Sequence, residues 1–482
     1  MKANKPSPTR YPNLRSNLKH LILPLAAAAI AAGAANAFGG GSLIAIPPIG
    51  GDTGNEARAI TPDGVYVVGI SSPSGAGFLY NLTNGYLVLP ISLDSVVAGA
   101  LTGVAYRSDT NQVPSQTQLI MSGLDTVFSR FTVWMTANGG TNFENMYQYP
   151  TGPIKPTVPL ANGLAGTAWD VVDAVWTDEG PGANNAWSFN LGKLSGSWGP
   201  TAQWDSKGIS TPQHGEANGI SSTKRAVGWR QTTAGSAHMN YLVDGLGTGG
   251  VSPTNPKGLA GDSEGEMWSV SADGTVIFGI SPIVASNTPN YAYKATFSSQ
   301  TETSIARLPN FPDTAGSTNL AVPYGCTVDG TFAVGMSYRG REKAVLWDTS
   351  HADTNKWTVT DLTTLAAANG ILGIFTNLSR AYSIGTNAYG QKVIAGIGTT
   401  SANKTRAFVM SIPPAVSIAT TPNKFTFSIQ SVVGKTYYLE YTVNLPTTSW
   451  LPVTSTPGTG NVVTLTDLNP ASTHRFYHIR IQ

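Results

Sequence analysis

The residues of this chain best suited to chemistry recur at fixed places in a repeated phrase. Aligned on Ile60, Ile220, Val270, Cys326 and Ile384, the positions four residues earlier are Glu56, Glu216, Glu266, Val322 and Arg380. Those two residues earlier are Arg58, Asn218, Trp268, Tyr324 and Tyr382. Glu56, Glu216 and Glu266 in a partial ring would offer oxygen ligands to a hard cation such as calcium. A competing reading pairs Glu56 with Arg380 on the adjoining repeat and leaves the other two carboxylates in solvent. Aromatic faces beside Arg58 and Arg380 suit a carbohydrate, whose apolar C–H faces stack while its hydroxyls take hydrogen bonds. Packing between neighbouring units accounts for the same aromatics without a ligand. His214, just ahead of Glu216, would supply a general base alongside Tyr324 or Tyr382. A solvated loop histidine is the plainer reading, and His238 reads as surface.

The elements that must position these residues follow from the phrase itself. It runs as AITPDGVYVVGIS from Ala59, GISSTKRAVGW from Gly219, SVSADGTVIFGIS from Ser269, CTVDGTFAVGMS from Cys326 and YSIGTNAYGQKVIAGIG from Tyr382. Weaker copies end near Gly123 and lie around 169–176, which makes seven. Period-two apolar runs on either side of Asp-Gly predict hairpins. A third strand follows each hairpin, as in GFLY at 77–80 and AVLWD at 344–348. Fourth strands are expected at 86–90, 304–309 and 358–365. Four strands per unit in a repeating array predict an all-β fold, a seven-bladed β-propeller over 38–413. The seventh unit is one strand short, and SLIAIPP at 42–48 is expected to pair outside AFVMS at 407–411 and close the ring. From 414 to 482 the phrase is absent, and alternating runs such as FTFSIQ and YYLEYTV predict a small antiparallel β-sandwich.

The phrase, followed by an AVLW- or AFVM-type strand, resembles the HAF repeats of bacterial extracellular proteins. The last segment, with Tyr437-Tyr438-Leu439-Glu440-Tyr441, Trp450, Asp467 and Arg475-Phe476-Tyr477, resembles a C-terminal module common on bacterial secreted proteins. Both resemblances imply export and an extracellular role, and neither implies a defined activity. The set His214, Tyr324 or Tyr382, and Arg58 or Arg380 is similar to the pairing that propeller polysaccharide lyases use to remove a proton beside a uronate carboxylate. SADGTVIF at 271–278 resembles a sialidase Asp-box, but its glycine comes one place early. No Cys-x-x-Cys, His-Glu-x-x-His or phosphate loop is present. Gly261-Asp262-Ser263-Glu264-Gly265 matches Gly-x-Ser-x-Gly, yet a hydrolase elbow needs a helix after it and an inner strand is expected here.

Residues 1–37 carry five Lys or Arg and no acid, an apolar stretch from Leu21 to Ala34, and the small triplet Ala35-Asn36-Ala37. This pattern predicts a cleaved signal peptide, an exported chain and no membrane span. Removing those five charges leaves 24 basic residues against 27 Asp and Glu, so the net charge of +2 becomes −3. Nucleic acid is not an expected partner at that charge. Cys326 is the single cysteine and excludes an internal disulfide. The leading expectation is a non-catalytic exported propeller that binds a glycan or other surface polymer at its channel mouth, with no cofactor apart from the calcium considered above. A polysaccharide-degrading lyase or hydrolase and a purely structural envelope protein are the alternatives.

Overall fold

The computed structural model describes residues 41–482 except 91–96, 110–115, 126–130, 138–143, 149–170, 181–182, 195–196, 201–214, 224, 231–236, 245–253, 260, 262–263, 282–290, 312–319, 339, 415, 422–423, 432–433, 445–448, 460–461, 469 and 471–474. The expected signal peptide and His214 lie outside the described residues, as do the side chains of Glu216 and of the third sheet below.

The described chain is all-β apart from two short helices, and its strands form antiparallel sheets, seven up to Ile412 and two after it. The first comprises Gly54–Ile60, Tyr66–Ser72, Gly77–Asn81 and Tyr86–Val88. The second comprises Ala98–Asp109, Gln116–Asp125, Phe131–Ala137 and Glu144–Gln148. The third has Val171–Gly180, Ala183–Leu194 and Ser197–Pro200, and the fourth Gly215–Ile220, Ala226–Arg230 and Met239–Val243. The fifth comprises Glu266–Val270, Val276–Ser281, Tyr291–Ser298 and Thr301–Arg307. The sixth comprises Ala321–Cys326, Phe332–Tyr338, Glu342–Asp348 and Thr358–Asp361. The seventh joins Phe375–Thr386, Lys392–Thr400 and Thr405–Ile412 to the early strand Ser42–Ala45, which pairs antiparallel with Thr405–Ile412 as Ser42↔Ser411 through Ala45↔Phe408.

The hairpins of the first, fifth and sixth sheets turn on a hydroxyl, an aspartate and a glycine. Thr61 Oγ1 donates to Asp63 Oδ1 at 2.6 Å and accepts from the Tyr66 amide at 3.0 Å, while Asp63 Oδ1 accepts from the Val65 amide at 3.1 Å. Gly64 completes the turn at φ +70°, where a side chain would be strained. Ser271 with Asp273 and Thr327 with Asp329 repeat the same bonds. The turns also link consecutive sheets, with Ser222 N to Ala272 O at 2.9 Å and Ala272 N to Val328 O at 2.8 Å. Thr386 N to Pro62 O at 2.7 Å joins the seventh sheet to the first.

Apolar strand faces meet between sheets rather than within one. Val227, Leu242 and Met267 share a buried cluster across the fourth and fifth sheets, and Phe278, Ala333 and Trp347 across the fifth and sixth. Ala57, Val67, Phe78, Val393, Ala407 and Ile46 do so across the first and seventh. The fully buried Asn55 reinforces that contact: its Oδ1 accepts from the Ala407 amide at 3.0 Å, and its Nδ2 donates to Ile46 O at 3.0 Å and Pro47 O at 3.2 Å. Half-buried Cys326 packs on the cluster between the fifth and sixth sheets, where burial pushes its thiol up to about 12 against a lowering bond from Ser269, so it is a poor nucleophile.

One expected fourth strand is shorter than its apolar run. Thr358–Asp361 is strand, but Leu362–Ala368 is helix, because Asp361 accepts from the Thr363 and Thr364 amides and caps it. The last two sheets, Val416–Thr421, Lys424–Gln430 and Val462–Asp467, and Leu451–Pro457, Thr436–Thr442 and Phe476–Ile481, share the core of Ile429, Tyr437, Leu439, Val463, Leu465 and Ile479. No helix among the described residues is long and apolar enough to cross a membrane.

Candidate functional site

The inner strand of each sheet whose side chains are described carries a register shift at the same point in the phrase. Arg58 lies between Ala57 and Ala59, Thr102 between Leu101 and Gly103, and Asn218 between Ala217 and Gly219. Trp268 lies between Met267 and Ser269, Tyr324 between Val322 and Gly325, and Tyr382 between Ala381 and Ser383. An extra residue in one strand is left out of the ladder and its side chain is re-aimed. All six shifted side chains line one pocket with about 310 Å³ of empty space, part of it continuous with solvent.

The glycine at the matching place in each second strand, as in Val68-Gly69-Ile70-Ser71, seats the bulge. A Cβ on Gly69 would lie 1.9 Å from Glu56 O, and one on Gly335 1.9 Å from Val322 O. Gly279 and Gly396 stand in the same relation to Glu266 O and Arg380 O. The inner-strand carbonyl ahead of each bulge therefore occupies the space that a side chain on the second strand would need.

Around the pocket the rings and charges form a connected belt. Trp268 and Tyr324 meet edge to face with centroids 5.3 Å apart, and Tyr324 and Tyr382 are tilted at 5.1 Å. The Arg58 guanidinium sits 4.7 Å over the Tyr382 ring and is bonded to Glu56. Arg380 donates to Glu342 Oε2 at 2.7 Å and Oε1 at 2.5 Å, a bidentate pair, and to the Tyr382 hydroxyl at 3.4 Å. The Glu342 bonds hold the Arg380 guanidinium above its ordinary range, against the opposing effect of burial. Burial raises the Tyr324 phenol, with Arg380 opposing, so it stays protonated at neutral pH. The Trp268 indole donates to Glu266 Oε2 at 3.1 Å, and Glu266 Oε1 lies 2.6 Å from His238 Nδ1. His238 in turn stacks on Trp229 at 3.6 Å.

The structure thus brings Arg58, Asn218, Trp268, Tyr324 and Tyr382 to one pocket, with Arg380 behind Tyr382. It corrects the ion pairing: Glu56 holds Arg58 on its own strand, where the two side chains are neighbours across the bulge, and Arg380 turns to Glu342 of the sixth sheet instead. Glu266 is engaged by His238 and Trp268. Among the described residues no three His, Cys, Asp or Glu side chains gather as a metal site, and the side chain of Glu216 lies outside them, as does all of His214. Sequence reasoning missed Thr102, although Leu101-Thr102-Gly103-Val104 parallels Ala217-Asn218-Gly219-Ile220. It also missed Glu342, and it read His238 as surface, where its side chain is indeed 36% exposed, without foreseeing its bond to Glu266. After Gly265 the chain enters the strand Glu266–Val270, not a helix, so the Gly-x-Ser-x-Gly match lacks the setting of a hydrolase elbow.

No protein-family model matches the chain, and no curated protein matches it. Solved structures similar to it include the Cps50 (Swd1) β-propeller domain of Myceliophteria thermophila, at 7% identity over 76% of this chain and 98% of that chain, with a TM-score of 0.43. An oligogalacturonate lyase from Vibrio parahaemolyticus matches at 10% identity over 77% and 93%, with a TM-score of 0.44. Sqt1 of Chaetomium thermophilum, solved with the N-terminus of ribosomal protein L10, matches at 9% identity over 79% and 95%, with a TM-score of 0.41. An enzyme and a binding protein thus stand side by side among these neighbours, and none of them assigns an activity to this chain.

Proposed function

We propose that the seven sheets are the blades of one closed ring on an exported chain, and that the pocket inside it binds a glycan or another hydroxylated surface polymer without turning it over. The observation that carries this reading is the convergence of Trp268, Tyr324 and Tyr382 with Arg58, Asn218 and Thr102 on a single pocket. Aromatic faces beside hydrogen-bonding groups match the mixed surface of a sugar ring. The paired Ser42–Ala45 strand and the Asn55 bonds support closure, because they tie the first and seventh sheets together. A non-catalytic role is supported by the protonated Tyr324 phenol and by Arg58 and Arg380, whose charges are already met by Glu56 and Glu342.

The test is a glycan and polysaccharide array probed with the mature protein, with and without calcium, beside Trp268→Ala. Binding that Trp268→Ala abolishes while its far-UV spectrum is unchanged supports the reading. Reducing ends or unsaturated products released from any bound polymer move the chain to the enzymes, and no binding by the unaltered protein leaves a structural repeat protein.

A further inference from the structure

Among the described residues ten large apolar side chains are exposed, and four of them, Val443, Leu451, Leu468 and Phe476, belong to one end of the last two sheets. The strand register places them there. Thr442 pairs with Phe476 and Tyr441 with Leu451, so Val443, Leu451 and Phe476 border the same strand end. Phe425 pairs with Asp467, which sets Lys424 across from Leu468, and the bond from Arg475 to Asp467 ties this end of one sheet to the same end of the other. The chain turns back three times here, between Thr421 and Lys424, Thr442 and Leu451, and Asp467 and Phe476. Val416–Thr421 starts soon after the seventh sheet finishes at Ile412 and runs toward these turns, so they form the end away from the link.

Charge at this end favours an anionic partner. Residues 414–482 hold two acids, Glu440 and Asp467, against Lys424, Lys435, Arg475 and Arg480. Buried Asp467 accepts from Arg475 and from the Tyr477 hydroxyl at 2.9 Å, and buried Glu440 is held by Arg480 at 3.0 Å and His478 at 2.6 Å. Neither acid is left to meet the exposed Lys424. Half-buried Trp450, next to Leu451, stacks on His478 at 3.8 Å, and Arg475 sits 4.0 Å over the Tyr441 ring. A lysine set among exposed apolar side chains decides the kind of partner, because protein interfaces are depleted of lysine. A phospholipid surface takes both groups at once: apolar tips enter the acyl boundary, aromatic rings lie at headgroup depth, and the amine reaches phosphate oxygens.

We infer that this end of the last two sheets docks on an anionic phospholipid surface, with Val443, Leu451, Leu468 and Phe476 inserted and Lys424 among the headgroups. The contact is peripheral and reversible, and it requires no spanning element. It goes beyond the glycan reading and does not rest on it. The experiment is co-sedimentation with vesicles of phosphatidylglycerol and phosphatidylcholine in equal parts, beside vesicles of phosphatidylcholine alone. The protein lacks residues 1–37, whose own apolar stretch would bind lipid, and is used unaltered and as Leu468→Ser, Phe476→Ser and Lys424→Gln. Val462→Ser is the control, because Val462 is 62% exposed beside 67% for Leu468, yet it stands at the opposite end of the strand Val462–Asp467, where it pairs with Gln430. Sedimentation velocity without vesicles reports self-association.

The unaltered protein should sediment with the mixed vesicles and bind phosphatidylcholine alone at least about fivefold more weakly. Leu468→Ser and Phe476→Ser should each weaken binding about 3–10-fold, the loss of one partly inserted apolar side chain. Lys424→Gln should cost about fivefold on the mixed vesicles and nothing on phosphatidylcholine, and Val462→Ser should stay within about twofold of the original. Binding to neither vesicle overturns the inference, as does weakening by Val462→Ser equal to that by Leu468→Ser. Equal affinity of the unaltered protein for the two vesicle types also overturns it, and that arm needs no variant to fold. A dimer that Leu468→Ser dissociates, with no vesicle binding, gives this end to a second copy of the chain and refutes the lipid partner.

Discussion

Replacing Gly335 with alanine tests whether the motif glycine and the bulge are one device. The new Cβ would sit 1.9 Å from Val322 O, 2.9 Å from Val322 C and 3.0 Å from the Pro323 Cα. All three are backbone atoms, so no side chain can swing away, and the inner strand must retreat by about 1.5 Å to reach ordinary van der Waals separation. Overpacking of this kind costs typically 1–3 kcal/mol, and a rigid backbone obstacle places Gly335→Ala near about 3 kcal/mol. Gly54→Ala is the control: its nearest atom is Thr405 O at 3.1 Å, a few tenths of an ångström too close. The stiffening of the unfolded chain by alanine, about 0.4–1 kcal/mol, offsets most of that smaller strain. Urea unfolding followed by tryptophan fluorescence compares the two midpoints. Near-UV circular dichroism should also show Gly335→Ala losing signal, since a flattened bulge withdraws Tyr324 from Trp268 and Tyr382. Midpoints that agree within about 0.5 kcal/mol, with an unchanged near-UV spectrum, would refute the coupling of glycine to bulge.

Asn55→Leu should destabilise the protein by at least about 2 kcal/mol, because it leaves the Ala407 amide and the Ile46 and Pro47 carbonyls unmet in the contact between the first and seventh sheets. A thermal melt indistinguishable from that of the unaltered chain would mean that this contact contributes nothing to stability. Acid should loosen the turns. Burial alone would raise the carboxyls of Asp273, Asp329 and Asp361, but bonds from Ser271 and Thr275, from Thr327 and Thr331, and from Lys343 and the helix amides outweigh it and hold all three below the ordinary aspartate range. A carboxyl depressed by folding adds stability that is complete above its unfolded value of about 4 and is lost as pH falls through its folded value. The melting temperature should therefore drop below about pH 4, and less steeply in Asp361→Asn, whereas a flat profile from pH 5 down to about 2.5 contradicts the assignment.

How much of this was legible in the sequence depends on whether a feature is local to the phrase. The hairpins were legible, because Thr61, Asp63 and Gly64 satisfy one another within four residues. The helix at Leu362–Ala368 was not, since TVTDLTTL reads as a β run until the capping role of Asp361 is seen. The partners of the site residues were hidden for a different reason. Glu342 and His238 approach Arg380 and Glu266 from the preceding sheet, 38 and 28 residues away, and no period in the sequence encodes that approach. Glu56 and Glu266 share a place in the phrase and so looked like members of a ring, but each is engaged by the residue two places on, which the bulge turns to the same side.

The bulge supplies the rule that a reading of the phrase alone lacked. A register shift cannot be seen in a run of apolar residues, yet its counterpart on the second strand can, because it forces a glycine there. Counting back eleven residues from Gly69, Gly279 and Gly335 reaches Arg58, Trp268 and Tyr324, each a shifted residue of the pocket wall. In these three sheets the glycine that marks the strand as a repeat therefore marks the pocket, whereas the longer or shorter turns of the second, fourth and seventh sheets change the count. The backbone device is common to the copies while the side chain on it varies: an arginine, a tryptophan and a tyrosine are accommodated by it, as are Asn218 and Thr102. Uniform backbone and divergent side chains are what a recognition surface built on a repeat requires, and the divergence falls on the positions that share the pocket.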